Sequence, residues 1–148
     1  MKHVGVIGLG QMGMPMAANL IRGGFRVAVL DINPALTERI ASSGATASSS
    51  IQELARESEV IVLSLPHIPA LEAVVAGPGG LTESDLAGKT IIDTTTATMK
   101  TAVEMAVKVA ERGGCFLDAP VTGGVMGAEK GTLNMMVGGD RSAFDRHS

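Results

Sequence analysis

Short runs that are apolar at almost every position alternate along this chain with longer segments whose apolar residues recur every three or four positions. A strand that is apolar on both faces has to be covered on both faces, and a parallel sheet between two layers of helices does this. Strands are expected at residues 3–8, 26–30, 45–47, 60–65, 90–93, 115–118 and 133–137. Helices are expected at 11–22, where Met12, Met16, Ala17 and Leu20 share a face, and at 34–41, 69–76 and 98–112. The serine-rich stretch 42–50 reads as a loop carrying a short strand and not as a linker, because Ser50 followed by Glu53 is a capping-box pattern that starts the next helix. The expected fold class is therefore α/β, a doubly wound and mainly parallel sheet with helices on both faces, in one domain covering 1–148.

Such sheets bind ligands beyond the carboxyl ends of their strands, so the residues just after each strand are the informative ones. After the first strand comes Gly8-Leu9-Gly10-Gln11-Met12-Gly13, a G-x-G-x-x-G pattern opening into a helix. The first glycine permits the tight turn, the second lets the backbone approach a pyrophosphate, and the third lets helix and strand pack closely. The amides at the helix start are then free to face phosphates. Asp31, at the end of the second strand, follows Gly10 by 21 residues, close to the roughly 20 expected of the carboxylate that binds adenosine ribose hydroxyls. Ile32 and Asn33 come next, so no arginine stands ready for a 2′-phosphate, and NAD is the expected ligand over NADP. The alternative for Asp31 is a plain helix cap before Pro34.

Composition closes off other classes. The net charge of −3, with three Phe and no Trp or Tyr, supports neither nucleic acid nor an anionic membrane as partner. No apolar stretch has the length to cross a bilayer. No signal-peptide pattern opens the chain, and Cys115 is its one cysteine, so a soluble cytoplasmic protein without internal disulfides is expected. Cys115, in an apolar run, reads as a buried inert thiol, and the nine Met read as core filler. No metal is expected, since no Cys, His and carboxylate cluster has ligand spacing.

Four segments together resemble the β-hydroxyacid dehydrogenases of the 3-hydroxyisobutyrate dehydrogenase type. GLGQMGMPMAANL at 8–20 resembles that family's amino-terminal signature, and DAPVTGGVMGAEKGTL at 118–133 its substrate signature. LSLPH at 63–67 and DTTTAT at 93–98 stand where two cofactor-contacting turns belong. The resemblance implies a Rossmann-type NAD-binding domain, with Leu65 and Pro66 at the nicotinamide end and Thr96 as a cofactor contact. It implies that Thr122, Gly123 and Gly124 hold the carboxylate of a small substrate, with Thr replacing the commoner Ser; a hydroxyl and two glycine amides after a strand and opening a helix also read by themselves as a compact anion site, with a plain turn as the alternative. It also implies a homo-oligomer for the full-length protein, and an all-helical carboxyl-terminal domain whose lysine is the general acid/base. The chain ends at Ser148, before such a helix, so a fragment lacking its catalytic residue is expected.

No catalytic residue is therefore assigned within 1–148. Lys130 reads as a solvated helix lysine, and Lys89, Lys100 and Lys108 have weaker claims. His67, just after the strand expected to end at Leu65, is expected to border the nicotinamide end but has no orienting partner in the sequence, and His3 and His147 read as incidental. The expected activity is hydride transfer between NAD and a small β-hydroxy acid or its semialdehyde. The alternatives are a non-catalytic dinucleotide-binding or interaction module, and a 6-phosphogluconate dehydrogenase-like fragment, against which stands the lack of a basic cluster for a substrate phosphate.

Overall fold

The computed structural model describes residues 2–148. Strands β1 (His3–Ile7), β2 (Arg26–Leu30), β3 (Thr46–Ala47), β4 (Val60–Leu63), β5 (Thr90–Asp93) and β6 (Cys115–Asp118) form one sheet in the order β3-β2-β1-β4-β5-β6. Every neighbouring pair is parallel. The chain winds outward from β1 on one side and from β4 on the other, so the strand order reverses between these two. This is the Rossmann-type doubly wound arrangement, and it opens a crevice at the carboxyl edge of the β1–β4 junction.

Helices α1 (Gly13–Arg22) and α2 (Pro34–Ala41) cover one face of the sheet; α3 (Ile51–Glu57), α4 (Ile68–Ala76) and α5 (Met99–Ala110) cover the other. The first core joins Val6, Val27 and Val29 to Ala17 and Ile40. The second joins Ile61, Leu63 and Ile91 to Leu54, Leu71, Val75, Met105 and Val109. Alternate residues of one strand thus enter opposite cores, which is why these strands are apolar throughout. Leu54 sits over Gly5, whose missing side chain leaves it room. Two short helices, α6 (Gly124–Lys130) and α7 (Arg141–His147), and an antiparallel ribbon of β7 (Val121–Thr122) and β8 (Asn134–Met135), follow β6.

Several boundaries differ from expectation. The first helix begins at Gly13 and not at residue 11, because 8–12 form the turn beneath it. β4 ends at Leu63, two residues early: Ser64 still donates to the Ile7 carbonyl at 3.0 Å, but the register with β1 ends there. The strand expected over 133–137 is only β8, and its partner β7 gave no signal of its own, being two residues long. Ser50 does cap α3, accepting from the Glu53 amide at 3.1 Å, while the Glu53 carboxylate turns back to Ser49. Cys115 is half-buried, not enclosed, with its sulfur 3.9 Å from Arg146 Nη2. Met16 and Met105 are core residues, but Met99, Met126, Met135 and Met136 are exposed.

Leu54→Ala is expected to lower the unfolding free energy by about 2–5 kcal/mol, the range for emptying a buried leucine site. Met99→Ala should change it by less than about 0.5 kcal/mol. Urea denaturation measures both, and similar small losses would contradict the placement of Leu54.

Candidate functional site

Each candidate segment leaves the sheet at the same edge, because parallel strands all end there. The turn after β1 is built from close backbone contacts. Gly8 has φ +96°, which favours glycine, and a Cβ there would strike the Ser64 carbonyl. A Cβ at Gly13 would strike the Gly8 carbonyl. Gly10 is different: it has no positive φ, it is exposed, and a Cβ there would meet nothing within 4 Å. The fold requires glycine at the first and third positions and leaves the second open to an approaching ligand. No side chain caps α1, and although Met14 donates to the Gly10 carbonyl and Pro15 has no N–H, the amides of Met12 and Gly13 stay available to an anion.

Asp31 ties this turn to the end of β2. Its Oδ2 accepts from the Leu9 amide at 2.7 Å and its Oδ1 from the Asn33 amide at 2.8 Å. The cap of α2 is Asn33, whose side chain accepts from Ala35 N at 3.1 Å, so the plain-cap alternative for Asp31 fails. Asp31 is partly exposed, and each carboxylate oxygen retains a lone pair for a further donor.

On the far side of the crevice, three successive threonines do three things. Thr94 donates from Oγ1 to the Leu63 carbonyl at 2.7 Å, and its amide donates to the same oxygen at 2.9 Å. The Thr95 hydroxyl accepts from the Leu65 amide at 3.1 Å. Thr94 and Thr95 are buried; Thr96 alone is exposed and unengaged at the crevice edge. Leu65 is half-buried and Pro66 exposed beside them. His67 caps α4, its Nδ1 accepting from Ala70 N at 3.1 Å, which gives the ring a structural task.

Thr122 ends β7, exposed, and Gly123 (φ +124°) and Gly124 (φ +62°) turn the chain into α6. These glycines are a turn, and also an exposed hydroxyl-flanked pair of amides. Asn19 of α1 holds α6 in place, its Nδ2 donating to the Ala128 carbonyl at 2.6 Å. The crevice flanking Gly10 and Gln11 is consequently bordered by Val125 of α6 and by Leu36 and Arg39 of α2. Sequence reasoning passed over Asn19 and Arg39, whose roles come from contacts over long sequence distances.

The two titratable groups at this edge with raised values are Asp93 and Asp118. Burial is the main cause for both, and Asp93 is pushed up to about 6 against the pull of its Thr95 hydrogen bonds. Lys130 is exposed at the end of α6, Lys100 lies 4.0 Å from Glu104 on the outer face of α5, and Lys108 is exposed on the same helix. Lys89 donates to the Ser58 carbonyl at the opposite edge of the sheet. Among the described residues no group of three or more His, Cys, Asp or Glu is arranged to hold a metal ion, and no helix is long and apolar enough to cross a membrane.

Comparison with known proteins places this geometry. Residues 3–148 match the model of the NAD binding domain of 6-phosphogluconate dehydrogenase. The chain is 42% identical over 143 residues to the 2-hydroxy-3-oxopropionate reductase of Escherichia coli K12, covering 97% of this chain and 49% of that protein. It superposes on a Mycobacterium tuberculosis 3-hydroxyisobutyrate dehydrogenase solved with L-serine with a TM-score of 0.91 and 34% identity, over 99% of this chain and 49% of that one. It also matches the structure of Psf3 in complex with NADP+ and 2-OPP, with a TM-score of 0.92 and 28% identity, over 97% of this chain and 51% of the other. The chain spans about half the length of the relatives it matches.

Gly13→Ala is expected to cost at least about 2 kcal/mol, as forced backbone strain does, and Gly10→Ala less than about 0.5 kcal/mol. Thermal unfolding of the two variants beside the parent measures the contrast, and equal losses would remove the distinction between the glycines.

Proposed function

This chain belongs to the β-hydroxyacid dehydrogenase family, as its amino-terminal NAD(P)-binding domain, and from that premise we propose that it holds NAD across the carboxyl edge of its sheet and receives the carboxylate of a small β-hydroxy acid or its semialdehyde. The observation that carries the reading is Gly10, where the protein's own packing makes no demand for glycine but a pyrophosphate lying on the turn would. Within the turn of Gly8 to Gly13, the amides of Gly8 and Leu9 hold the turn to Leu30 and Asp31, and those of Gly10, Gln11, Met12 and Gly13 at the uncapped start of α1 meet the pyrophosphate. The free lone pairs of Asp31 accept from the adenosine ribose hydroxyls, and its charge disfavours a 2′-phosphate. Leu65, Pro66 and Thr96 border the nicotinamide.

The nicotinamide, when bound, gives or takes the hydride. What the chain adds is orientation: the threonine-held turns fix one side of the ring, and Thr122 with the amides of Gly123 and Gly124 fixes the substrate carboxylate. Proton transfer is assigned to the lysine that the family carries beyond this domain, and none of the lysines of 1–148 takes that role. The full-length protein is read as a homo-oligomer. A second reading, acceptance of NADP, is favoured by Arg39, which lines the crevice beside Gly10 and could meet a 2′-phosphate.

Titration with NADH and then NADPH, followed by nicotinamide fluorescence, is expected to show NADH bound at least about tenfold tighter, a difference of about 1.4 kcal/mol. Gly10→Ala should weaken both, and the chain alone should not oxidise 3-hydroxyisobutyrate. Tighter NADPH binding, lost in Arg39→Ala, would establish the second reading. Turnover by the chain alone would overturn the assignment of the proton-transfer lysine, and binding of neither cofactor would overturn the proposal.

A further inference from the structure

Asp93 is fully buried at the end of β5, where a charge is costly, and its Oδ2 has no hydrogen-bond partner among the described residues. Its other oxygen is engaged: Oδ1 accepts from the Thr95 amide at 2.9 Å. The Thr95 hydroxyl accepts from the Leu65 amide at 3.1 Å. A charge-assisted bond to its amide therefore holds the very residue whose hydroxyl holds Leu65, a link of two hydrogen bonds through Thr95. It bridges two loops 30 residues apart, those read above as the walls of the nicotinamide end.

We propose that Asp93 is a positioning residue, whose ionised carboxylate acts through Thr95 to fix the Leu65-Pro66 turn in its cofactor-binding form. The inference rests on the reading of that turn as a cofactor contact. Asp93 is not a proton donor or acceptor in the reaction; it touches neither bound molecule.

Its surroundings make the device pH-dependent. Asp118, beside it in the β5–β6 register, is the charged group acting on Asp93 and disfavours its ionisation. β4 offers Leu63 at the matching position, and the first turn of α5 offers Thr101 and Ala102, all uncharged. Lys100 and Glu104 of α5 are on its exposed face, and the ring of His67 is committed to the cap of α4. With its carboxyl raised to about 6, Asp93 binds its proton more tightly in the folded chain than in the unfolded one. Its contribution to stability is therefore present at acid pH and lost as pH rises through about 6. At neutral pH the ionised group costs stability in return for holding the turn.

The test combines NAD+ affinity by calorimetry from pH 5 to 8 with hydrogen exchange at the Leu65 amide, on the parent, Asp93→Asn, Thr95→Val and Thr95→Ser. The parent is expected to bind about fivefold tighter at pH 8 than at pH 5, with protection of the Leu65 amide rising in parallel. Asp93→Asn should be flat at the weaker level while melting higher than the parent at pH 8. Thr95→Val should lose both effects, and Thr95→Ser should keep them. The same pH profile in Asp93→Asn as in the parent, or Leu65 protection indifferent to Asp93, would overturn the inference. If NAD+ binds to none of the chains while Leu65 protection still follows Asp93, the chain of bonds stands and the cofactor reading falls.

Discussion

Backbone lies against backbone where β1 hands over to α1, and the cleft follows from that contact. Gly8 passes so near the Ser64 carbonyl, and Gly13 so near the Gly8 carbonyl, that a single methyl at either place would collide with main chain. Main chain cannot swing aside as a flexible side chain can. The turn is thereby pinned against the end of β4, with the start of α1 directed over the edge of the sheet at the point where strand order reverses. Asp31 adds the second constraint by taking the Leu9 amide, so that the turn after β1 and the end of β2 form one rigid unit. These restraints convert a generic α/β sheet into one with a fixed turn at the point where strand order reverses.

The opposite wall of the crevice is held by side chains instead of close backbone approach. Thr94 and Thr95 bind the chain after β5 to the chain after β4, leaving Thr96 free. The difference has consequences: a wall made of hydrogen bonds can respond to the charge state of a neighbour, while a wall of packed main chain cannot. On the reading proposed above, the threonine-held wall is the adjustable half of the cleft and the glycine turn the fixed half.

Much of this was legible in the sequence because wholly apolar strands leave few alternatives to a parallel sheet, and because a glycine turn at a strand end has a defined geometry. Six of the seven expected strands form the sheet, and Asp31 lies where the spacing put it. The parts that were not legible are those decided by contacts distant in sequence. Thr94, Thr95 and Thr96 are identical in kind, and only the position of Leu63 and Leu65 tells which of them is free. Asn19 looks like any helix surface residue until α6, more than a hundred positions later, places a carbonyl on it. β7 and β8 are too short to carry a periodic signal, and the half-exposed Cys115 owes its environment to α7. The exposed methionines of α6 and β8 show that composition alone does not assign residues to a core.

The central claim is that the segments leaving the carboxyl edge of the sheet form a single dinucleotide cleft with one fixed and one adjustable wall. Backbone amide NMR of the chain titrated with NAD+ tests it most directly. The account predicts that the amides of Gly10 to Gly13, Asn33, Leu65 and Thr96 shift together with one dissociation constant, while those of His3 and Lys89 at the opposite edge stay still. Shifts concentrated at the opposite edge, or separate constants for the glycine turn and the threonine wall, would contradict it.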